Sequence, residues 1–133
     1  MTTDVLVVGT GLIGTSLGIA LSRRGFRVLL SDPSPTAARL ARDLGAGELV
    51  DDQPEGSEQA PDVVVVAAPP DVAGAVVAEQ LRRWPKAVVT DVASVKGAIA
   101  QAVERAGGDL TRYVGSHPMA GRERSGTMAA RAD

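Results

Sequence analysis

Three clusters in the 133-residue sequence combine residue types and spacings that can do chemistry. The first is Gly9-Thr10-Gly11-Leu12-Ile13-Gly14, a GxGxxG answered by Asp32, 18 residues beyond its last glycine. In such a turn the first glycine allows the tight reversal, the second lets the backbone approach a pyrophosphate, and the third lets helix and strand pack closely. The second cluster is Asp91-x-x-Ser94-x-Lys96, and the third is Gly115-Ser116-His117-Pro118-Met119-Ala120-Gly121 with Arg122 and Glu123 directly after it. His117 is the single histidine of the chain. Its side-chain type ordinarily titrates at about 6.5, which suits proton transfer near neutrality. A lone histidine is otherwise an ordinary surface or packing residue. Pro118 biases the preceding backbone toward an extended form, which places His117 on a defined, glycine-flanked loop, and such loops often carry working residues.

The elements around these clusters place them together. Val5 to Val8 is a short β-branched run, read as a parallel strand buried on both faces. It breaks at the glycine turn and opens into an apolar-periodic helix running to about Arg24, with Gly25 as its stop. Arg27 to Ser31 supplies a second strand with Asp32 at its carboxyl end. There a carboxylate accepts hydrogen bonds from adenosine ribose hydroxyls and repels a 2′-phosphate. The alternative is that Asp32 caps the next helix, since Asp-Pro-Ser-Pro is also a good helix start. A helix follows over Thr36 to Leu44, then a short strand at Glu48 to Val50 and a polar loop over Asp51 to Pro61. Asp62 to Ala67 reads as a buried strand that runs into Ala68-Pro69-Pro70, a turn expected beside the cofactor, with Asp71 capping a helix to Trp84. Trp84 is read as a packing residue at that helix end. Ala87 to Asp91 is a fifth strand, Val95 to Arg105 a helix closed by Gly107-Gly108, and Arg112 to Gly115 a sixth strand. Alternation of this kind predicts an α/β fold with a doubly wound parallel sheet of about six strands, a Rossmann domain over residues 1–133. Ser94 and His117 then sit beyond carboxyl ends of strands, where open α/β sheets bind ligands. The glycine turn alone is equally a plain tight turn; the strand before it, the helix after it and Asp32 favour a dinucleotide.

Composition narrows the classes. Hydrophobic residues make up 44% but aromatics only 2%, so the core is aliphatic and offers no base-stacking platform for single-stranded nucleic acid. A net charge of −2 with interspersed signs leaves no electrostatic footprint for nucleic acid or membrane. The chain has no cysteine, which excludes disulfides and thiolate catalysis, and one histidine without ligand spacing predicts no metal site. The N-terminus lacks a basic segment and its apolar run stops at Gly9, so a soluble, cytoplasmic protein is expected.

Taken together, Gly9-x-Gly-Leu-Ile-Gly-x-Ser-Leu17, Asp91-x-x-Ser-x-Lys96 and Gly115-Ser-His-Pro-Met-Ala-Gly-x-Glu-x-Ser-Gly126 resemble the motif set of the prephenate/arogenate dehydrogenases. The similarity runs from residue 4 to about 130, and the third motif is the most discriminating. The resemblance implies NAD as cofactor, prephenate or arogenate as substrate, and oxidative decarboxylation leading to tyrosine. It assigns catalysis to His117, at the substrate's ring hydroxyl, with Ser94 beside it near the nicotinamide. Gly9, Gly11, Leu12, Ile13, Gly14, Asp32, Ala68 and Pro69 fall to the cofactor. Glu123 matches an acidic residue near the substrate entrance, and Arg122 and Lys96 are further substrate candidates; for Lys96 a structural ion pair stays equally open. Family members continue into a helical domain that supplies homodimer contacts and a substrate-binding arginine. This chain is accordingly expected to be the nucleotide-binding half, inactive by itself. Two other readings are weighed against it. A hydroxyacid-type nicotinamide dehydrogenase conflicts with the Ser-His-Pro-Met-Ala-Gly loop, and a non-catalytic NAD-sensing module needs Asp32 and the glycines but neither His117 nor Ser94.

Overall fold

Residues 3–52, 60–92, 101, 103–105, 107 and 109–115 are described by a computed structural model of the chain. Strand β1 (Asp4–Val8) is buried at every position, as its apolar run from Val5 to Val8 between two helical layers requires. The other strands are β2 (Arg27–Ser31), β3 (Glu48–Leu49), β4 (Val63–Val66), β5 (Val88–Asp91) and β6 (Tyr113–Gly115). Every pairing is parallel, and the order β3-β2-β1-β4-β5-β6 is the doubly wound arrangement expected from the sequence.

Alternation along the strands divides the core. Leu6, Val8, Val64, Val66 and Val89 face one side and pack on Ala73, Val77 and Leu81 of helix α3 (Pro70–Arg83). Val5, Val7, Val28, Leu30 and Val65 face the other, against Ala41 of α2 (Pro35–Asp43) and the partly buried Leu17 and Leu21 of α1 (Leu12–Arg23). Every buried hydrophobic residue among those described is aliphatic, in keeping with the composition. Both α1 and α2 close as their glycines predict. Gly25 N–H and Phe26 N–H donate to the carbonyls of Ser22 and Leu21, and Gly45 N–H and Ala46 N–H to those of Arg42 and Ala41.

Several element ends shift by one residue from expectation, and three differences have a local reason. Asp71 does not cap α3: Pro69 holds the cap position without a side-chain hydrogen bond, Pro70 opens the helix, and Asp71 lies in the first turn. A proline at the first helical position needs no N–H partner, so the helix starts two residues earlier. Val50 belongs to a 3-10 turn over Val50–Asp52 instead of extending β3. Arg112 likewise ends a 3-10 turn, Leu110–Arg112, which the Asp109 carboxylate caps by accepting from Thr111 N–H at 3.0 Å. Of the helix read over Val95 to Arg105, residues 101 and 103–105 are described and helical.

Arg112 is more than a strand residue. Its guanidinium donates to the carbonyls of Leu81 (2.8 Å), Trp84 (2.9 Å) and Ala87 (2.9 Å), while Nε pairs with Asp109 at 3.0 Å. A helix end leaves carbonyls without intrahelical donors, and the planar fork answers those of α3 from the entry to β6. Trp84 packs against the α3-side core as expected, and its indole N–H donates to Gln80. Replacing Arg112 by methionine is expected to lower stability by about 2 kcal/mol or more, the scale of hydrogen bonds to a charged group. Arg112→Lys should recover less than half, because an ammonium cannot reproduce the fork. Urea unfolding of the three chains measures both effects.

Candidate functional site

Connections from β1 run toward β3, and those from β4 toward β6, so the chain reverses direction between β1 and β4. Doubly wound sheets open a crevice at this point because the loops part there. A cleft of about 800 Å³ occupies it. Seven of the eight residues expected to hold a cofactor line that cleft: Gly9, Gly11, Leu12, Ile13, Asp32, Ala68 and Pro69. Gly14 stands behind it and serves packing.

The three glycines answer three separate constraints. Gly9 has φ +105°, which side-chain-bearing residues rarely adopt, and a Cβ there would stand 2.7 Å from Ala67 O. At Gly14 a Cβ would lie 1.8 Å from Gly9 O, inside any possible contact. Around Gly11 nothing among the described residues lies within 4 Å of where a Cβ would be. Among the described residues no contact demands glycine at Gly11, and its bare backbone leaves that part of the cleft open. Gly11 also occupies the α1 cap position without a side-chain hydrogen bond, and no acidic residue sits in that helix's first turn. The α1 N–H donors and the positive end of its dipole therefore remain for an anion, which is the cradle a pyrophosphate fits.

Asp32 lines the same cleft, directly beside the glycine turn. Its Oδ2 accepts from Thr10 N–H at 2.7 Å and from the Thr10 hydroxyl at 2.9 Å, and its Oδ1 accepts from Ser34 N–H at 2.8 Å. Partial burial pushes this carboxyl up, but the three hydrogen bonds outweigh it and hold the group below the ordinary aspartate value. Asp32 is thus a fixed anion at neutral pH. The helix cap weighed as its alternative role belongs to Ser34, whose hydroxyl accepts from Ala37 N–H at 3.2 Å. Leu12 (84% exposed) and Val72 (44%) add apolar surface to the cleft walls, suited to a flat ring.

Near the second half of the sheet, Asp91 is fully buried and accepts a hydrogen bond from the Tyr113 hydroxyl. Burial, together with the bond to Asp91 and its negative charge, pushes the Tyr113 phenol well above the ordinary tyrosine value. In the parallel ladder Asp91 pairs with Gly115, so the segments leading to Ser94 and to His117 depart from adjacent points on the carboxyl edge. Val92, one residue beyond Asp91, lines the cleft. Ser94, Lys96, His117, Arg122 and Glu123 themselves lie outside the described residues. Sequence reasoning missed Thr10, which stands at a variable position of the glycine motif, and the Asp91–Tyr113 pair. The pair had a faint signal: a charged residue closing an apolar strand demands a partner. Among the described residues no group of three or more His, Cys, Asp or Glu is placed to hold a metal ion, and no helix is long and apolar enough to cross a membrane.

Comparison with known proteins agrees with this geometry. Residues 17–133 match the family described as prephenate dehydrogenase, nucleotide-binding domain. "Probable prephenate dehydrogenase NovF" of Streptomyces niveus is 41% identical over 128 residues, covering 96% of this chain and 34% of that protein. The chain spans about a third of the length of the curated relatives it matches. Among solved structures, prephenate dehydrogenase from A. aeolicus, in complex with hydroxyphenyl propionate and NAD+, superposes with a TM-score of 0.71 at 32% identity, covering 93% of this chain and 44% of that one. Synechocystis arogenate dehydrogenase superposes with the same TM-score, 0.71, at 28% identity, covering 87% of this chain and 41% of that one.

The glycine geometry separates folding from binding. Gly14→Ala is expected to destabilise the chain by about 3 kcal/mol or more, or to prevent folding, because helix and strand must part. Gly11→Ala should change stability by less than about 0.5 kcal/mol, as at an open surface position. It should nonetheless weaken dinucleotide binding at least about tenfold, about 1.4 kcal/mol, by placing a methyl where the phosphates approach. Thermal unfolding and fluorescence titration with NADH check the pair.

Proposed function

Since this chain belongs to the prephenate dehydrogenase family, matching its nucleotide-binding domain, we propose that residues 1–133 form the NAD-holding domain of an enzyme that oxidatively decarboxylates prephenate or arogenate on the way to tyrosine. One observation carries the cofactor part of this reading: a cleft at the chain reversal lined by an open glycine turn and, fixed beside it, the Asp32 carboxylate. The α1 N-terminus and Gly11 hold the pyrophosphate, Asp32 takes the adenosine ribose hydroxyls, and Ala68 and Pro69 flank the cofactor. Gly9 and Gly14 keep the turn closed behind it. Bound NAD supplies the hydride acceptor that the oxidation requires.

The remaining chemistry falls to few groups. As the substrate's C4 hydroxyl becomes a carbonyl, its proton needs an acceptor, and His117 in its neutral form takes it. Ser94 orients the imidazole by a hydrogen bond. Loss of CO₂ then makes the ring aromatic, which supplies much of the driving force, so positioning is the main demand on the protein. Support for these assignments is the common edge from which both segments leave, where Asp91 and Gly115 are paired. Lys96 and Arg122 offer cations to the substrate carboxylates, with Glu123 beside the entrance. In the complete cytoplasmic enzyme a downstream domain provides a rigid arginine for the substrate and the contacts of a homodimer.

Three outcomes test the proposal. The chain should bind NAD at least about tenfold more tightly than NADP, about 1.4 kcal/mol, because Asp32 repels a 2′-phosphate; equal dissociation constants by calorimetry would refute the Asp32 role. With NAD bound, neither prephenate nor arogenate should yield NADH from these 133 residues, whereas turnover would place a substrate site within them. In the longer protein that contains this domain, His117→Asn should lower kcat at least about a hundredfold with NAD affinity nearly unchanged. Near-normal turnover in that variant would remove His117 from the mechanism.

A further inference from the structure

Thr10 lies between the first two glycines of the turn and is almost completely buried, at 5% exposure. Both of its donors converge on one atom, Asp32 Oδ2: the backbone N–H at 2.7 Å and the hydroxyl at 2.9 Å. The turn holding Thr10 is itself braced, since the Thr15 hydroxyl donates to the Thr10 carbonyl at 3.0 Å. The other carboxylate oxygen, Oδ1, accepts from Ser34 N–H at 2.8 Å. An ionised carboxylate offers about four acceptor directions, and these contacts fill three of them from within the fold.

We infer that Thr10 is a positioning residue that sets nucleotide specificity. By filling Oδ2 it holds the Asp32 carboxylate in one plane and leaves a single acceptor direction, on Oδ1, for a sugar hydroxyl of a dinucleotide that lacks a 2′-phosphate. The inference rests on the reading of the cleft as an NAD site.

The physical argument turns on freedom. A carboxylate held by three hydrogen bonds, two of them on one oxygen, resists turning aside when a 2′-phosphate approaches, so the two anions meet at close range in a half-buried setting where their repulsion is poorly screened. Without the Thr10 hydroxyl, two backbone N–H bonds remain, and neither resists rotation of the side chain as well as a third contact does. A loosened carboxylate also has space to enter. Asp32 borders a second cavity of about 150 Å³, whose lining includes Arg39 with Asp51 and Asp52. Loss of the hydroxyl therefore weakens the grip on a ribose hydroxyl and relaxes the barrier to the phosphate together. Pure damage to the turn would do something different: it would weaken both dinucleotides alike.

The experiment measures dissociation constants of NADH and NADPH by fluorescence titration for the wild-type chain, Thr10→Val, Thr10→Ala and Thr10→Ser, with a thermal melt of each. Valine keeps the shape of threonine and removes the hydroxyl; alanine removes it with less bulk in case valine fails to fold; serine retains it. The preference for NADH over NADPH should fall about tenfold in Thr10→Val and Thr10→Ala, the effect expected for losing a hydrogen bond to a charged group. Thr10→Ser should stay within about threefold of wild type. An unchanged preference in the valine and alanine chains, or a serine chain as impaired as they are, would overturn the role of Thr10 while leaving the NAD site standing. A wild-type chain that binds neither dinucleotide would overturn the site and this inference together.

Discussion

At Gly14 the start of α1 lies so close to the turn leaving β1 that no methyl group fits, since a Cβ there would stand 1.8 Å from Gly9 O. Much of the site follows from it. Because α1 begins hard against the end of β1, its first N–H groups open directly onto the gap between β1 and β4. Because Gly9 turns with a positive φ against Ala67, the chain leaves the strand without covering that gap. The buried valines of β1 and β4 hold the two strands in register from Val5↔Val63 to Val8↔Val66, so the walls of the cleft are set by the core itself. An aliphatic core thus positions an anion site, although none of its residues bears a charge.

Much of this was legible in the sequence because the signals are local. Buried parallel strands announce themselves as β-branched runs, helix stops as glycines, and the phosphate turn as three glycines between a strand and a helix. The sheet order, all six strands and seven of the eight proposed cofactor residues at the cleft come from such signals. What escaped depends on partners distant in the chain. Nothing near Arg112 says that its guanidinium reaches three carbonyls between the last turn of α3 and the start of β5, some 25 to 31 residues earlier. Nothing near Thr10 says that it faces Asp32, 22 residues away. The start of α3 was misplaced for the opposite reason: two local signals competed, and the geometry of Pro70 outweighed the capping tendency of Asp71.

The two halves of the edge differ in how they hold their charges. Asp32 is half-exposed and fixed by neutral donors, so its negative charge stays available to the cleft. Asp91 is buried with the Tyr113 hydroxyl directed at it, so its charge is turned inward to join β5 to β6. One carboxylate is arranged to meet a ligand and the other to secure a strand. Both stand at carboxyl ends of parallel strands, and burial and partner, not residue type, set their roles.

The length of the outer strand β3 has a consequence for solubility. Among the described residues the sheet is four or five residues deep at its centre but narrows to two residues in β3. A parallel sheet is uniform in its hydrogen bonding, and a long bare edge would invite a neighbouring molecule to add a strand of its own. Short edges offer too few free backbone groups for such an addition to hold. Tapering thus keeps one molecule's sheet from becoming the template for the next, while the deep central strands carry the site.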